Sequence, residues 1–133
     1  MASAKFLIFA AASLCIATMN INVADAGCGD FVSSCRAPFE HSQGFFKATC
    51  ITDSGRWVVA SINLAPHIGN VNGNMVGGSD YEESCESLGI IRSSSDLIVT
   101  ARCKKFDGTL RDTGFDVNRR ISNNNGRLVF NNC

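Results

Sequence analysis

Apolar side chains recur at every second position in one stretch of this chain. The run comprises Leu97, Val99, Ala101 and Cys103. A weaker run with the same spacing occurs earlier, at Phe46, Ala48 and Cys50. A period of two is typical of a β-strand with one buried face. The pattern therefore predicts a strand in each half of the chain.

Each predicted strand is followed by a turn and a second apolar run. The turns are Asp53-Ser54-Gly55 and Asp107-Gly108, and the runs that follow span 56–64 and 109–117. A turn of this kind between two alternating runs is a strong hairpin signal. We therefore expect a hairpin in each half.

Two more tight turns are predicted further along, at Asn72-Gly73 and Asn125-Gly126. The segments 65–68 and 118–121 are each suited to a single turn of helix. No segment keeps a helical period over ten or more residues, so the sequence predicts an all-β fold with short 3-10 turns.

One unit occurs twice in the chain. The motif Asp30-Phe31-x-x-Ser34-Cys35 returns as Asp80-Tyr81-x-x-Ser84-Cys85, and Ile68-x-Asn70-x-Asn72-Gly73 returns as Ile121-x-Asn123-x-Asn125-Gly126. Segments 50–75 and 103–128 align without an insertion. Self-similarity with a period of roughly 50 residues indicates a tandem repeat. We expect repeat 1 at about 30–78 and repeat 2 at about 80–130.

The repeat also identifies candidate core positions, because large apolar residues occupy the same place in both copies. These pairs are Phe31 and Tyr81, Trp57 and Leu110, Ile62 and Phe115, and Ile68 and Ile121. We expect all of them in the core, and we favour a core role for Trp57 over a role as a stacking platform for sugars.

Residues 1–26 have the layout of a secretory signal. Lys5 gives a basic start, an apolar run spans 6–17, and Ala24-Asp25-Ala26 gives a small-x-small cleavage pattern. The apolar run is shorter than the roughly 20 residues of a membrane span. We therefore expect a secreted chain without membrane insertion, with 27–133 as one domain.

The chain has seven cysteines, of which Cys15 lies in the predicted signal. Six cysteines in a small secreted domain predict a disulfide framework. Pairing within each repeat, with the terminal cysteines left for each other, gives Cys35–Cys50, Cys85–Cys103 and Cys28–Cys133. In the chain-entropy model, each short loop contributes about 3 kcal/mol.

Charge and composition exclude several classes of function. Lys and Arg together number 12, and Asp and Glu together also number 12. No basic stripe is present, so we expect no nucleic-acid partner. No Cys-x-x-Cys occurs and the histidines are only His41 and His67, so we expect no metal and no cofactor.

With these motifs the chain resembles the cyanovirin-N homology family of lectins. The resemblance spans residues 31–130 and rests on the tandem repeat, the Ser-Cys opening and cysteine pair of each copy, and one long segment. That segment is Ser61-Ile62-Asn63-Leu64-x-x-His67-Ile68-x-Asn70-Val71-Asn72-Gly73-Asn74-Met75, found again in degenerate form at 115–128. The resemblance implies one elongated domain in which two pseudo-symmetric halves exchange hairpins. It also implies binding of mannose-rich glycans, with α1→2-linked mannose preferred, at the two far ends and without catalysis.

By position, the resemblance places a first sugar pocket at the opening of repeat 1 and the end of repeat 2. Its residues are Asp30, Ser33, Ser34, Ile51, Asp53, Asn123, Asn124 and Asn125. Ile51 stands where the family often has a charged, hydrogen-bonding side chain. Fixed amides, carboxylates and hydroxyls suit mannose, because each sugar hydroxyl both donates and accepts. The alternative role for these Asn and Asp residues is turn formation alone.

The second implied pocket comprises Gly69, Asn70, Asn72, Ser79, Asp80, Glu83, Ser84, Lys104, Lys105 and Phe106. Gly69 replaces a position that can carry a carboxylate in the family, and Phe106 replaces a polar position. We therefore expect the first pocket to be the stronger of the two.

Two other functions are open at the level of sequence. The same disulfide-rich fold could bind a protein rather than a glycan, as the residues at Ile51, Gly69 and Phe106 suggest. A hydrolase would need His41 or His67 as a base, and their spacing to carboxylates does not support that role. We expect a monomer, with a domain-swapped dimer as the alternative because Gly77-Gly78 joins the repeats.

Overall fold

The computed structural model describes residues 28–132, so the predicted signal at 1–26 and Cys133 lie outside the described residues. The strands in the described part are β1 (Cys35–Ser42), β2 (Phe45–Ile51), β3 (Trp57–Asn63), β4 (Ile68–Val71), β5 (Asn74–Gly77), β6 (Cys85–Arg92), β7 (Leu97–Lys104), β8 (Leu110–Asp116), β9 (Ile121–Asn124) and β10 (Arg127–Phe130). The 3-10 turns are η1 (Phe31–Ser33), η2 (Tyr81–Glu83) and η3 (Val117–Arg119). Residues 28–132 contain no helix that is long and apolar enough to cross a membrane. The all-β prediction is confirmed.

The strands form two three-stranded antiparallel sheets, each accompanied by a two-stranded hairpin. The sheets have the orders β1-β2-β3 and β6-β7-β8, and the hairpins are β4–β5 and β9–β10. Cys35 lies opposite Cys50 in one sheet, and Cys85 lies opposite Cys103 in the other. Both pairs form disulfides, as predicted. The predicted Cys28–Cys133 bridge involves a residue outside the described part.

Each hairpin packs on the sheet of the other repeat. Hairpin β4–β5 of repeat 1 lies against β8, and β9–β10 of repeat 2 lies against β3. The Met75 N–H in β5 donates to Thr113 Oγ1 in β8 at 3.0 Å. The exchange of hairpins is therefore confirmed, and neither repeat completes its own half of the fold.

One hydrophobic core runs through both halves. Phe31, Tyr81, Ile68 and Ile121 are fully buried in it, as predicted. Ile62 and Phe115 are half-buried and pack against it.

The core prediction was wrong for Trp57, which is 41% exposed. Along β3 the inward positions are Val58, Ala60 and Ile62, so the period of two turns Trp57 to the outer face. There the Arg36 guanidinium lies 3.9 Å from its ring centroid. A large apolar residue in both repeats therefore did not mean a buried position.

Each repeat opens with one short 3-10 turn that the sequence pattern did not predict. Asp30 precedes η1 with φ 80°, and Asp80 precedes η2 with φ 64°. Asp30 donates its N–H to the Asn118 carbonyl at 2.6 Å, and Asp80 donates to the Ala65 carbonyl at 2.7 Å. These bonds anchor the openings of both repeats beside the exchanged hairpins.

Candidate functional site

The residues predicted for the first pocket converge where β9–β10 meets the first sheet. We call this set the Asn123 site: Asp30, Ser33, Ser34, Asp53, Asn123, Asn124 and Asn125. The Asn123 amide nitrogen donates to Ser34 Oγ at 3.0 Å and to the Ile51 carbonyl at 2.9 Å. Its Oδ1 accepts the Gly126 N–H at 2.8 Å. One side chain thus ties the hairpin to η1 and to the end of β2.

The second set forms the same arrangement on the other half. We call it the Asn70 site: Asn70, Asn72, Ser79, Asp80, Glu83, Ser84 and Lys104. The Asn70 amide nitrogen donates to Ser84 Oγ at 2.9 Å and to the Lys104 carbonyl at 3.0 Å. Its Oδ1 accepts the Gly73 N–H at 2.8 Å.

Asn125 and Asn72 shape the two hairpin tips. Each has a left-handed φ, 54° and 51°, and is followed by a glycine with φ 85° or 86°, as a two-residue hairpin turn requires. The Asn125 Oδ1 accepts the Asp53 N–H, and the Asn72 Oδ1 accepts the Phe106 N–H, both at 2.8 Å. The turn role proposed as an alternative is therefore present at both positions. Sugar contacts by these asparagines stay a prediction.

We call Asn123 and Asn70 the frame asparagines, because their side chains hold the exchanged hairpins in place. They have little hydrogen-bonding capacity left for a ligand. A side-chain amide carries two N–H donors, and both are engaged in Asn123 and in Asn70. Groups that can reach a ligand must therefore come mainly from the exposed neighbours of the frame.

At the Asn123 site those exposed neighbours are polar. Asp30, Ser33, Asp53 and Asn124 are all exposed. The Ser33 hydroxyl donates to the Asp30 carbonyl at 2.9 Å, which fixes its orientation. The turn also carries a hydroxyl pair that the sequence reasoning missed, Thr52 Oγ1 and Ser54 Oγ, 2.9 Å apart. The sequence could have indicated this pair, because Thr52 and Ser54 stand on either side of Asp53 in the predicted turn.

At the Asn70 site three of the exposed neighbours are charged. Asp80, Glu83 and Lys104 are exposed, and Lys104 uses only its backbone carbonyl to hold Asn70. The carboxylates of Asp80, Glu82 and Glu83 lie within 4.8 Å of one another. This group is the one in the described chain that could hold a cation, although exposed acidic groups commonly cluster without one.

Gly69 contributes no surface to the Asn70 site. It is buried, and a Cβ there would lie 3.0 Å from the Ser79 nitrogen and 3.3 Å from the Gly78 Cα. Ser79 itself is exposed beside this close backbone approach. A carboxylate side chain at this position would therefore require the backbone of Gly78 and Ser79 to shift.

The two sites differ most at the tips. In the alignment of the repeats, Asp53 corresponds to Phe106 and Asn124 corresponds to Val71. Phe106 is 84% exposed and Val71 is 54% exposed. The Asn123 site thus presents an acid and an amide where the Asn70 site presents two apolar side chains.

The histidines are engaged in packing. His41 is buried, with Nε2 at 2.8 Å from the Tyr81 hydroxyl and Nδ1 at 3.0 Å from the Gly89 carbonyl. Burial lowers the pKa of His41, against the opposing effect of the Gly89 hydrogen bond. His67 stacks on Phe130 with ring centroids 4.3 Å apart. This geometry gives the hydrolase alternative no support.

Comparisons with known proteins agree with the resemblance. Residues 31–129 match the family model described as the CVNH domain. A cyanovirin-N homolog from Tuber borchii is 38% identical over 86 residues, which make up 63% of this chain and 81% of the relative. A designed cyanovirin-N homolog lectin superposes with a TM-score of 0.67 at 30% identity, over 76% of this chain and 98% of that chain. A complex of microvirin with mannobiose superposes with a TM-score of 0.66 at 20% identity, over 77% and 98%.

An all-β tandem repeat with exchanged hairpins and two matched amide-centred sites defines a class of lectin folds. The chain belongs to the cyanovirin-N homology (CVNH) family. It is a carbohydrate-binding protein of the lectin type and not an enzyme.

Proposed function

We propose that this protein is a secreted lectin for mannose-rich glycans, with α1→2-linked mannose as the preferred terminal unit. The observation that carries the proposal is the Asn123 site, where the Asn123 amide is fully bonded and the Asn125 side chain accepts the Asp53 N–H, so that exposed Asp53 and Asn124 are held in fixed positions. Fixed polar groups discriminate between sugars because an analogue that lacks a hydroxyl leaves them unpaired. The mannobiose complex of microvirin, which shares the fold, supports this choice of sugar.

Secretion is part of the proposal. Two disulfides in a chain of this size favour an oxidising compartment, in agreement with the signal-like sequence at 1–26. A secreted mannose lectin meets microbial or viral surface glycans, so we propose a defence role. We propose a monomer with two binding ends. When both ends bind the same branched glycan, the overall affinity can exceed that of a single site by about 10²–10⁴-fold.

A glycan array tests the proposed function. The protein, recovered in oxidised form after secretion of the full chain, is expected to bind glycans that end in α1→2-mannose. Asp53→Ala and Asn124→Ala should each weaken that binding, because both side chains are exposed and neither closes the frame through its side chain. Lys47→Ala is the matched control and should bind normally, because Lys47 lies on the outer face of β2 and, within residues 28–132, forms an ion pair only with Glu40.

A blank array from protein with its disulfides intact would contradict a glycan-binding function. It would favour the alternative of a protein ligand on the same fold. Unchanged binding in both Asp53→Ala and Asn124→Ala would contradict the placement at the Asn123 site.

A further inference from the structure

Two apolar side chains stand exposed at the Asn70 site, and we call them the apolar pair. Phe106 is 84% exposed and Val71 is 54% exposed. They lie on the two tips that meet at this site, because the Asn72 side chain, next to Val71, accepts the Phe106 N–H at 2.8 Å. Single exposed apolar residues are ordinary. Here two exposed apolar residues occur at one candidate site, and the other repeat has Asp53 and Asn124 at the same positions. This difference suggests a different ligand.

The turn that presents Phe106 is held in place. The Lys105 N–H donates to the Thr109 carbonyl at 2.7 Å. The Asp107 carboxylate accepts the Thr109 hydroxyl at 2.6 Å and the Thr109 N–H at 2.9 Å. These hydrogen bonds keep the pKa of Asp107 below its usual range. The Phe106 backbone is therefore ordered before a ligand arrives, which lowers the cost of binding.

Charges of both signs surround the apolar pair. Gly73 lies close to the stems of Lys105 and Arg111, and Lys104 lies exposed beside Asn70. The carboxylates in this region belong to Asp80, Glu82 and Glu83, and to Asp107 next to Phe106. Three cations beside four carboxylates give no excess of positive charge, which favours a neutral ligand over an acidic one.

We propose that the Asn70 site takes an N-acetylglucosamine-type sugar, while the Asn123 site takes mannose. An aromatic face packs on the C–H face of a pyranose, since burial of C–H surface against a ring is favourable. A β-linked N-acetylglucosamine unit carries all its ring substituents equatorially, so both of its faces present axial C–H bonds, whereas an α-linked mannose unit has axial oxygens at C1 and C2, one on each face. Exposed Lys104 and Glu83 are partners for the hydroxyls and the acetamido group of N-acetylglucosamine. This assignment rests on the proposed lectin function and gives the second site its own sugar class.

Solution NMR titrations with N,N′,N″-triacetylchitotriose and with α1→2-mannobiose test the assignment on the oxidised, secreted protein. Chitotriose should shift the amide signals of Asn72, Gly73 and Phe106, and mannobiose those of Asp53, Asn125 and Gly126. Phe106→Ala should weaken chitotriose binding about tenfold, the loss expected for one aromatic contact. The same variant should leave mannobiose shifts at Asp53 unchanged. Phe106 is exposed and its backbone bond to Asn72 does not need the ring, so the variant should fold.

Phe106→Tyr, which keeps the ring, should retain chitotriose binding. Mannobiose binding at both ends without any chitotriose binding would overturn this inference and leave the proposed function intact. Equal chitotriose binding by Phe106→Ala would overturn the role of the ring. Preference of this site for a sialylated trisaccharide would overturn the neutral-ligand assignment. Absence of all sugar binding would overturn the proposed function itself.

Discussion

The Asn123 and Asn70 sites have matching frames and different surfaces. Asn123 bonds Ser34 Oγ at 3.0 Å and the Ile51 carbonyl at 2.9 Å, and Asn70 bonds Ser84 Oγ at 2.9 Å and the Lys104 carbonyl at 3.0 Å. Both amides accept a glycine N–H at 2.8 Å. At the tips, however, Asp53 is replaced by Phe106.

The comparison separates two kinds of residue that look alike in the sequence. Asparagines that recur in both repeats spend their hydrogen bonds on holding the exchanged hairpins. At the tips of the two sites the exposed positions differ between the repeats: Asp53 corresponds to Phe106, and Asn124 corresponds to Val71. The shared asparagines therefore hold the hairpins, and we expect the differing tip residues to set the sugar specificity.

The largest expected effect is loss of a frame asparagine. Asn123→Ala and Asn70→Ala should each lower the free energy of unfolding by about 3 kcal/mol, because part-buried carbonyl and N–H groups lose their partners. Urea unfolding with the disulfides intact measures this loss. Asn124→Ala, at an exposed neighbouring position, is the matched control and should change stability by less than about 0.5 kcal/mol. Equal losses in Asn123→Ala and Asn124→Ala would contradict the frame role.

The tip glycines should show the next largest effect. Gly73→Ala should cost about 2 kcal/mol, since a side chain at φ 86° is strained and its Cβ would lie 2.9 Å from the Arg111 Cβ. Gly108→Ala has a similar φ of 88°, but no described residue lies within 4 Å of the added Cβ, so it should cost only the backbone strain, about 1 kcal/mol. Thermal unfolding compares the two. If Gly108→Ala were as costly as Gly73→Ala, tight docking of the exchanged hairpin would not be the cause.

Exchanging the tip residues should convert one surface into the other. The double variant Phe106→Asp and Val71→Asn gives the Asn70 site the tip residues of the Asn123 site. We expect it to lose chitotriose binding and to gain mannobiose affinity by about tenfold, the free energy of one charge-assisted hydrogen bond. Calorimetric titration with both sugars measures the change, and Lys47→Ala serves as the control. Unaltered sugar preference would show that the frame, and not the tips, sets specificity.

The smallest expected effect concerns pH. His41 is buried and neutral, and its pKa in the folded protein lies below the unfolded value of 6.5. The unfolded chain therefore binds a proton first, and stability should fall as the pH drops below about 6.5. Urea midpoints at pH 7.5 and pH 5 should show this fall in the native protein and a smaller one in His41→Leu. A midpoint in His41→Leu that falls by as much as the native one would assign the effect to other groups.

Much of the fold could be predicted from local sequence patterns and from the internal repeat. The period of two at Leu97–Lys104 predicted strand β7, pairing of cysteines within each repeat predicted two disulfides, and Asn-Gly pairs predicted two hairpin tips. The exchange of hairpins came only from family resemblance, since packing of β9–β10 on β3 depends on contacts far apart in the chain.

The sequence predicted which residues belong to the candidate sites, but not what each residue does there. Residues named for each pocket do converge, as the bond from Asn123 to Ser34 shows. No pattern revealed that both donors of Asn123 and of Asn70 would be taken up by a serine hydroxyl and a backbone carbonyl, because those partners belong to the other repeat. Trp57 was misjudged for a related reason: repeat matching detects size and not which face of a strand is buried.

The most direct test of the central claim is an NMR titration of the oxidised, secreted protein with α1→2-mannobiose. Saturable shifts should appear first at the amides of Asp53, Asn125 and Gly126, which line the Asn123 site, and weakly or not at all at Phe106. An absence of saturable shifts at the Asn123 site, or shifts confined to the outer face around Trp57, would contradict the account.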